Sequence, residues 1–183
     1  MTDALTVAKE LCGRPADADE AHAQTPGTSG LYAWWAPAGL LPGVCGPAHP
    51  SVDGLELLHV GSARNVRAGV VGNHFRGPTG SSTLRRALVA LLLSSERYTT
   101  RRTKTRVVPI DRDEARLSAW MRERLRVTWA EHPEPQNVEA SVIAELTPPL
   151  NQAHNKSHPL YSMIAAARAA YRASAGPRPQ ATD

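Results

Sequence analysis

The sequence predicts a mixed α/β domain, and three patterns carry that expectation. Two short runs of strand-forming residues, 30–35 and 55–60, are each bounded by glycine or proline. In 125–130, Leu125, Val127 and Trp129 alternate with Arg126, Thr128 and Ala130, the period of a further strand. Elsewhere apolar residues recur at helical spacing, most clearly Leu84, Ala87, Leu88, Leu91 and Leu92 at i, i+3, i+4, i+7 and i+8.

In chain order, Leu5, Ala8, Leu11 and Cys12 predict a short helix, followed by a Pro/Ala/Asp-rich linker to Thr28. Gly30-Leu31-Tyr32-Ala33-Trp34-Trp35 is the first strand, closed by Pro37, and a Gly/Pro loop leads to Leu55-Glu56-Leu57-Leu58-His59-Val60, which ends at Gly61. Ala63, Val66 and Val70 on one face predict a helix over 62–71 that stops around Gly72. Ser81-Ser82-Thr83 offers N-caps to the helix that follows. The polar, basic stretch 96–106 reads as a surface loop leading into a short strand at 106–108. Asp111 and Glu114 make a capping-box-like start for a helix with Leu117, Trp120 and Met121 inward, ahead of the strand at 125–130. Another helix runs from about Gln136 to Leu146 and stops at Pro148-Pro149. The last begins near Pro159, with Leu160, Met163, Ile164, Ala167 and Tyr171 on one side, and a disordered tail is expected over 176–183.

The 183 residues carry 21 Lys plus Arg against 17 Asp plus Glu, a formal charge of +4 and a pI near 9.4. The charge is unevenly placed: 61–126 holds fifteen basic and five acidic residues, +10, while the remainder sums to −6. Eighteen of the 21 cations are arginine, the side chain suited to bidentate phosphate recognition, so an anionic partner is expected. No apolar stretch approaches the roughly 18 residues a membrane span needs, and no secretory signal pattern opens the chain. That argues against a membrane partner and for a cytoplasmic location. Cys12 and Cys45 are too few for a zinc set or a disulfide framework. There is no phosphate-binding P-loop, dinucleotide fingerprint, His-Glu-x-x-His or Gly-x-Ser-x-Gly motif.

The sharpest local anomaly is Glu139, which shares its helical face with Val142, Ile143 and Leu146. A carboxylate buried among apolar residues costs several kcal/mol unless a cation, a metal ion or a helix N-terminus meets it. Tyr32, His59, His74 and Asn151 each have ordinary readings alone: strand wall, two capped or surface histidines, and a turn amide.

Their order changes that. A Gly-aliphatic-Tyr strand, an aliphatic-Gly strand end, helices including one with an inward Glu, and a Pro-Pro-Leu-Asn loop resemble the GIY-YIG nuclease superfamily. Gly30-Leu31-Tyr32 and His59-Val60-Gly61 stand for the two halves of the name. Val138-Glu139-Ala140 and Pro149-Leu150-Asn151 look like its metal-binding glutamate and C-terminal asparagine. Gly72-Asn73-His74-Phe75 with Ser81-Ser82-Thr83-Leu84-Arg85-Arg86 resembles a small actinobacterial-type subgroup.

The resemblance implies a small sheet of three to four strands flanked by helices, over 28–155. A helix and linker would precede it in 1–27, and a helix in 156–175 would pack on it. It also implies hydrolysis of phosphodiester bonds in DNA, or action on another anionic substrate, with one Mg²⁺ or Mn²⁺ held by Glu139. Tyr32 would contact or deprotonate water, His59 would replace the second tyrosine with another ionisable group, and His74 would be a general base. Gly61 and Asn151 would be structural. The position of the family's phosphate-binding arginine falls on Gly69, so Arg67, or Arg85 and Arg86 from the next helix, are the remaining candidates for that contact. The departures at His59 and Gly69 also leave open a recruited member that binds nucleic acid without cutting it or hydrolyses a small electrophile.

Overall fold

In the computed structural model, which describes residues 2–177, the mixed α/β class takes the form of a three-stranded antiparallel sheet flanked by helices. The end of the expected tail, 178–183, lies outside the described residues. Strand β1 (Gly30–Pro37) is central, with β2 (Leu55–Ala63) on one side and β5 (Arg126–Glu131) on the other. Both faces of β1 are covered, which is why its sequence is an unbroken apolar run. Leu31, Ala33 and Trp35 enter the core formed with α1 (Thr2–Leu11) and α5 (Pro135–Leu146). Tyr32, Trp34 and Ala36 enter the larger core with α3 (Thr83–Leu92), α4 (Asp111–Arg124) and α6 (Tyr161–Ala173). Helix α6 packs against α3 through Ile164 and Tyr171, whose hydroxyl donates to the Val107 carbonyl.

The register sets the site. Tyr32 stands opposite Gly61 on β2 and Trp129 on β5, and Trp34 stands opposite His59. A bulge follows at once, since Trp35 pairs with Leu57 and Leu58 is the extra residue. The outer edge of β2 is closed by the loop after α5, where the Leu150 N–H donates to the Leu58 carbonyl.

Several local expectations are corrected. The stretch read as a linker contains α2 (Ala18–Gln24), opened by a reciprocal capping box between Asp17 and Glu20. The helix expected over 62–71 starts later, because β2 continues to Ala63, and it runs through Gly72 as a π-helix, Ala68–Phe75. Its i→i+5 bonding puts Val70, Val71, His74 and Phe75 all inward. The basic stretch 96–106 holds a strand, β3 (Thr100–Arg102), which pairs with β4 (Val107–Pro109) as a separate ribbon and does not extend the main sheet. Helix α4 has no capping box: Ile110 is its N-cap, while Glu114 turns inward to Arg85 and Thr79. Met163 is largely exposed, leaving Ile164 and Tyr171 as the buried residues of α6.

Candidate active site

Tyr32 has only 5% of its surface exposed, and two glycines make room for its ring. A Cβ at Gly61 would lie 2.7 Å from Tyr32 Cε2, Cζ and Oη, so only glycine lets the ring lie across β2. At the ring's other edge, a Cβ at Gly69 would stand 3.2 Å from Cε1 and 3.1 Å from Ala63 Cβ. The π-helix therefore meets Tyr32 at the residue where the sequence places glycine instead of arginine.

Tyr32 Oη lies 2.8 Å from His74 Nε2, and His74 Nδ1 lies 2.7 Å from Ser82 Oγ, which also accepts the Arg85 backbone N–H and caps α3. Both ring nitrogens of His74 are thus engaged, and it is 1% exposed. Burial, then the neighbouring His59 and Arg85 charges, push its pKa down to about 3. It stays neutral at physiological pH. Burial, and secondarily the Glu139 carboxylate, raise the Tyr32 phenol above its ordinary range. His74, expected as a general base, instead sits away from the cavity and orients the tyrosine.

His59 differs in the feature that matters for chemistry. It lines the same cavity as Tyr32, and its Nδ1 is buried without a hydrogen-bond partner among the described residues. Burial, then the Arg168 charge, lower its pKa to about 4, so it too is a neutral imidazole.

Glu139 lies in the second turn of α5, at the margin of the face that packs through Val138, Val142 and Ile143. It is half-buried, and its Oε2 accepts from Ser62 Oγ at 2.9 Å. The expected partner of the carboxylate is therefore a hydroxyl at the mouth of a cavity rather than a buried cation. Its second oxygen accepts no protein hydrogen bond among the described residues. Asn151 is spent on structure: Oδ1 accepts the Val60 N–H at 2.9 Å and Nδ2 donates to the Val60 carbonyl at 2.8 Å. The amide acts as one more ladder rung on the β2 edge and fixes the backbone between His59 and Gly61.

These side chains border one cavity of about 400 Å³, and Glu139 is the only carboxylate in its lining. The single arginine there is Arg168 of α6, with Nη2 3.4 Å from the Thr83 carbonyl. None of the expected phosphate-binding arginines lines it. Arg67 is exposed beside the π-helix start. Arg85 is fully buried and paired with Glu114 at 2.8 Å, with further bonds to the His74 carbonyl and Ser118 Oγ. Arg86 donates to the Gly80 carbonyl and faces a separate cavity. Sequence reasoning missed Arg168, although the signal was present. It sits four residues after Ile164 and three before Tyr171, on the buried side of its helix.

Among the described residues, no three His, Cys, Asp or Glu side chains cluster as a metal set, and no helix is long and apolar enough to cross a membrane. A family model described as the GIY-YIG catalytic domain matches residues 30–170. No curated protein and no solved structure matches the chain.

Proposed function

Because the chain belongs to the GIY-YIG catalytic-domain family, the premise is nuclease-type chemistry, and we propose that it hydrolyses phosphodiester bonds in DNA at the Tyr32–His59–Glu139 cavity. The observation that carries the proposal is the convergence of a pinned tyrosine hydroxyl, an unengaged imidazole nitrogen, a carboxylate with a free oxygen and one guanidinium on a single cavity. Each is a group that phosphoryl transfer to water requires.

Glu139 fits a hard divalent cation such as Mg²⁺ or Mn²⁺, which accepts one protein carboxylate and completes its shell with water and substrate phosphate oxygens. Bound there, the ion would polarise the phosphate and favour ionisation of water. The remaining roles belong to the protein. Tyr32, its hydroxyl donating to His74 Nε2, keeps its oxygen lone pairs for a hydrogen bond from the attacking water. His59 accepts the proton of that water at its unengaged nitrogen. Its low pKa suits the empty site, where Arg168 opposes protonation. A phosphate paired with Arg168 cancels that charge and raises the imidazole's basicity when it is needed. Arg168 steadies the phosphate oxygens, so the glycine at 69 does not by itself favour the recruited-fold reading.

The test is supercoiled plasmid cleavage with Mg²⁺ or Mn²⁺ and with chelator. Glu139→Gln should abolish metal-dependent nicking, and Tyr32→Phe should lower the rate about a hundredfold or more. Wild-type protein that leaves DNA intact in both metals, or Glu139→Gln that cuts at the wild-type rate, overturns the proposal.

A further inference from the structure

The arginines of this protein fall into two sets. Arg85, Arg101, Arg112, Arg116 and Arg124 each lie within ion-pair distance of a carboxylate. Arg86, Arg102, Arg106, Arg168 and Arg172 pair with none among the described residues, and all five line one cavity of about 710 Å³ whose lining contains no Asp or Glu. They come from α3, β3, the turn before β4, and α6, so the chain converges on this place from four elements. What satisfies them is backbone: Arg86 donates to the Gly80 carbonyl, Arg168 to Thr83, and Arg102 to Arg172 and Gly176. Arg102 Nε is buried with no partner at all. Burial, then mutual repulsion, lowers the pKa of Arg86 through Arg106 and Arg168, and that of Arg168 through Arg172. Like charges gathered in a concave, acid-free pocket carry a standing electrostatic cost that bound anions relieve.

The cavity also has an address. Arg168 and Gln152 line both it and the Tyr32–His59–Glu139 cavity, so the two are neighbours across one shared wall. We infer that the five-arginine cavity holds the backbone phosphates of a nucleic-acid strand next to the one being cleaved. This rests on the nuclease reading for the identity of the neighbour, and on the arginines alone for phosphate binding. A strand is favoured over a free polyphosphate because the shared wall places the two sites in series, and a polymer of phosphates occupies both at once.

The experiment measures binding without catalysis. Full-length protein is titrated into a fluorescein-labelled duplex oligonucleotide in EDTA, at KCl from 50 to 200 mM. The variants are Arg102→Gln/Arg106→Gln/Arg172→Gln together and Glu139→Gln, with thermal melts to confirm folding. With about 0.9 counterion released per phosphate contact, losing three contacts lowers the salt slope by roughly 3. Over that fourfold salt range, the wild type should then lose about 40-fold more affinity than the triple variant. Inorganic tripolyphosphate is the competing probe, expected to displace the duplex only weakly. A folded triple variant with wild-type affinity and salt slope overturns the inference, even if Glu139→Gln abolishes cleavage and the nuclease reading stands. Micromolar tripolyphosphate binding with no duplex binding overturns it in favour of a free-polyphosphate site. If duplex binding is lost in the triple variant while wild-type protein cuts nothing, the phosphate site stands and the catalytic reading falls.

Discussion

Acidification should destabilise this protein through two histidines, and the size of the effect follows from where they sit. His59 and His74 are buried, with folded pKa values near 4 and 3 against an ordinary value near 6.5. Between pH 6.5 and about 4 the unfolded chain binds a proton at each while the folded chain binds none, so stability falls as pH falls. The full contribution is present above the unfolded pKa. With both groups acting, the loss is about 3 kcal/mol per pH unit, or about 4 kcal/mol by pH 5, a large part of a typical domain's 5–15 kcal/mol. Asp113 contributes in a different window. Although its burial opposes ionisation, the Thr99 N–H and Arg116 hold its carboxyl below the ordinary range, so its share is lost only at lower pH. Urea unfolding followed by fluorescence of the four tryptophans, at pH 7.5, 6.5, 5.5 and 5, measures the slope. His74→Gln, which keeps a donor and an acceptor near Tyr32 and Ser82, should roughly halve it. Equal unfolding free energies at pH 7.5 and 5, or a slope that His74→Gln leaves whole, would refute the assignment of neutral, buried imidazoles.

Other perturbations separate the groups of the site. Gly61→Ala drives a methyl to 2.7 Å from the Tyr32 ring, so a loss of about 1–3 kcal/mol in a thermal melt and a cleavage rate about a hundredfold lower are expected. Gly72→Ala is the control: nothing lies within 4 Å, and helix propensity should stabilise the protein by up to about 1 kcal/mol with cleavage unchanged. Arg85→Leu leaves Glu114 without its cation and should cost about 3 kcal/mol or more in urea unfolding, yet leave the salt slope of duplex binding intact. Arg168→Ala should lower the cleavage rate about a hundredfold or more, and should move the acid limb of the pH–rate profile toward higher pH, because His59 loses the cation that opposes its protonation.

Much of this was legible in the sequence where one face of an element decides its neighbours. The α3 stripe of Leu84, Ala87, Leu88 and Leu92 is buried, and the β1 run is buried on both faces. Tyr32, His59 and Glu139 do border one cavity. What was not legible depended on distances between elements. Nothing local to Asp17-Ala18-Asp19-Glu20 distinguished a capped helix from a linker until Ala16 was seen to bridge Val127 on β5. The π-helix was hidden because apolar periodicity assumes i→i+4 bonding, and Gly72 looked like a stop signal. The arginines were the hardest case, since Arg85 and Arg86 are neighbours in sequence, one a fully buried ion pair and the other in an acid-free cavity. Only the position of Glu114 on α4 separates them.

Gly69 and Arg168 are two consequences of one packing arrangement. The π-helix lies so close to Tyr32 that even a methyl at 69 would crowd the ring and Ala63, so a long side chain could start there only by displacing the tyrosine that the site depends on. A guanidinium for the phosphate must then come from an element on the far side of the cavity. Helix α6 occupies that side, pinned to α3 by Ile164 and to β4 by the Tyr171 hydroxyl, and Arg168 lies between those two anchors. The same helix carries Arg172 one turn further on, into the second arginine cavity. On this reasoning Gly69→Arg, which restores the expected residue at the expected position, should reduce cleavage, because it disturbs Tyr32 while Arg168 already supplies the charge. An increase in plasmid nicking by Gly69→Arg would mean that the cavity lacks its phosphate contact and that Arg168 serves only the neighbouring site.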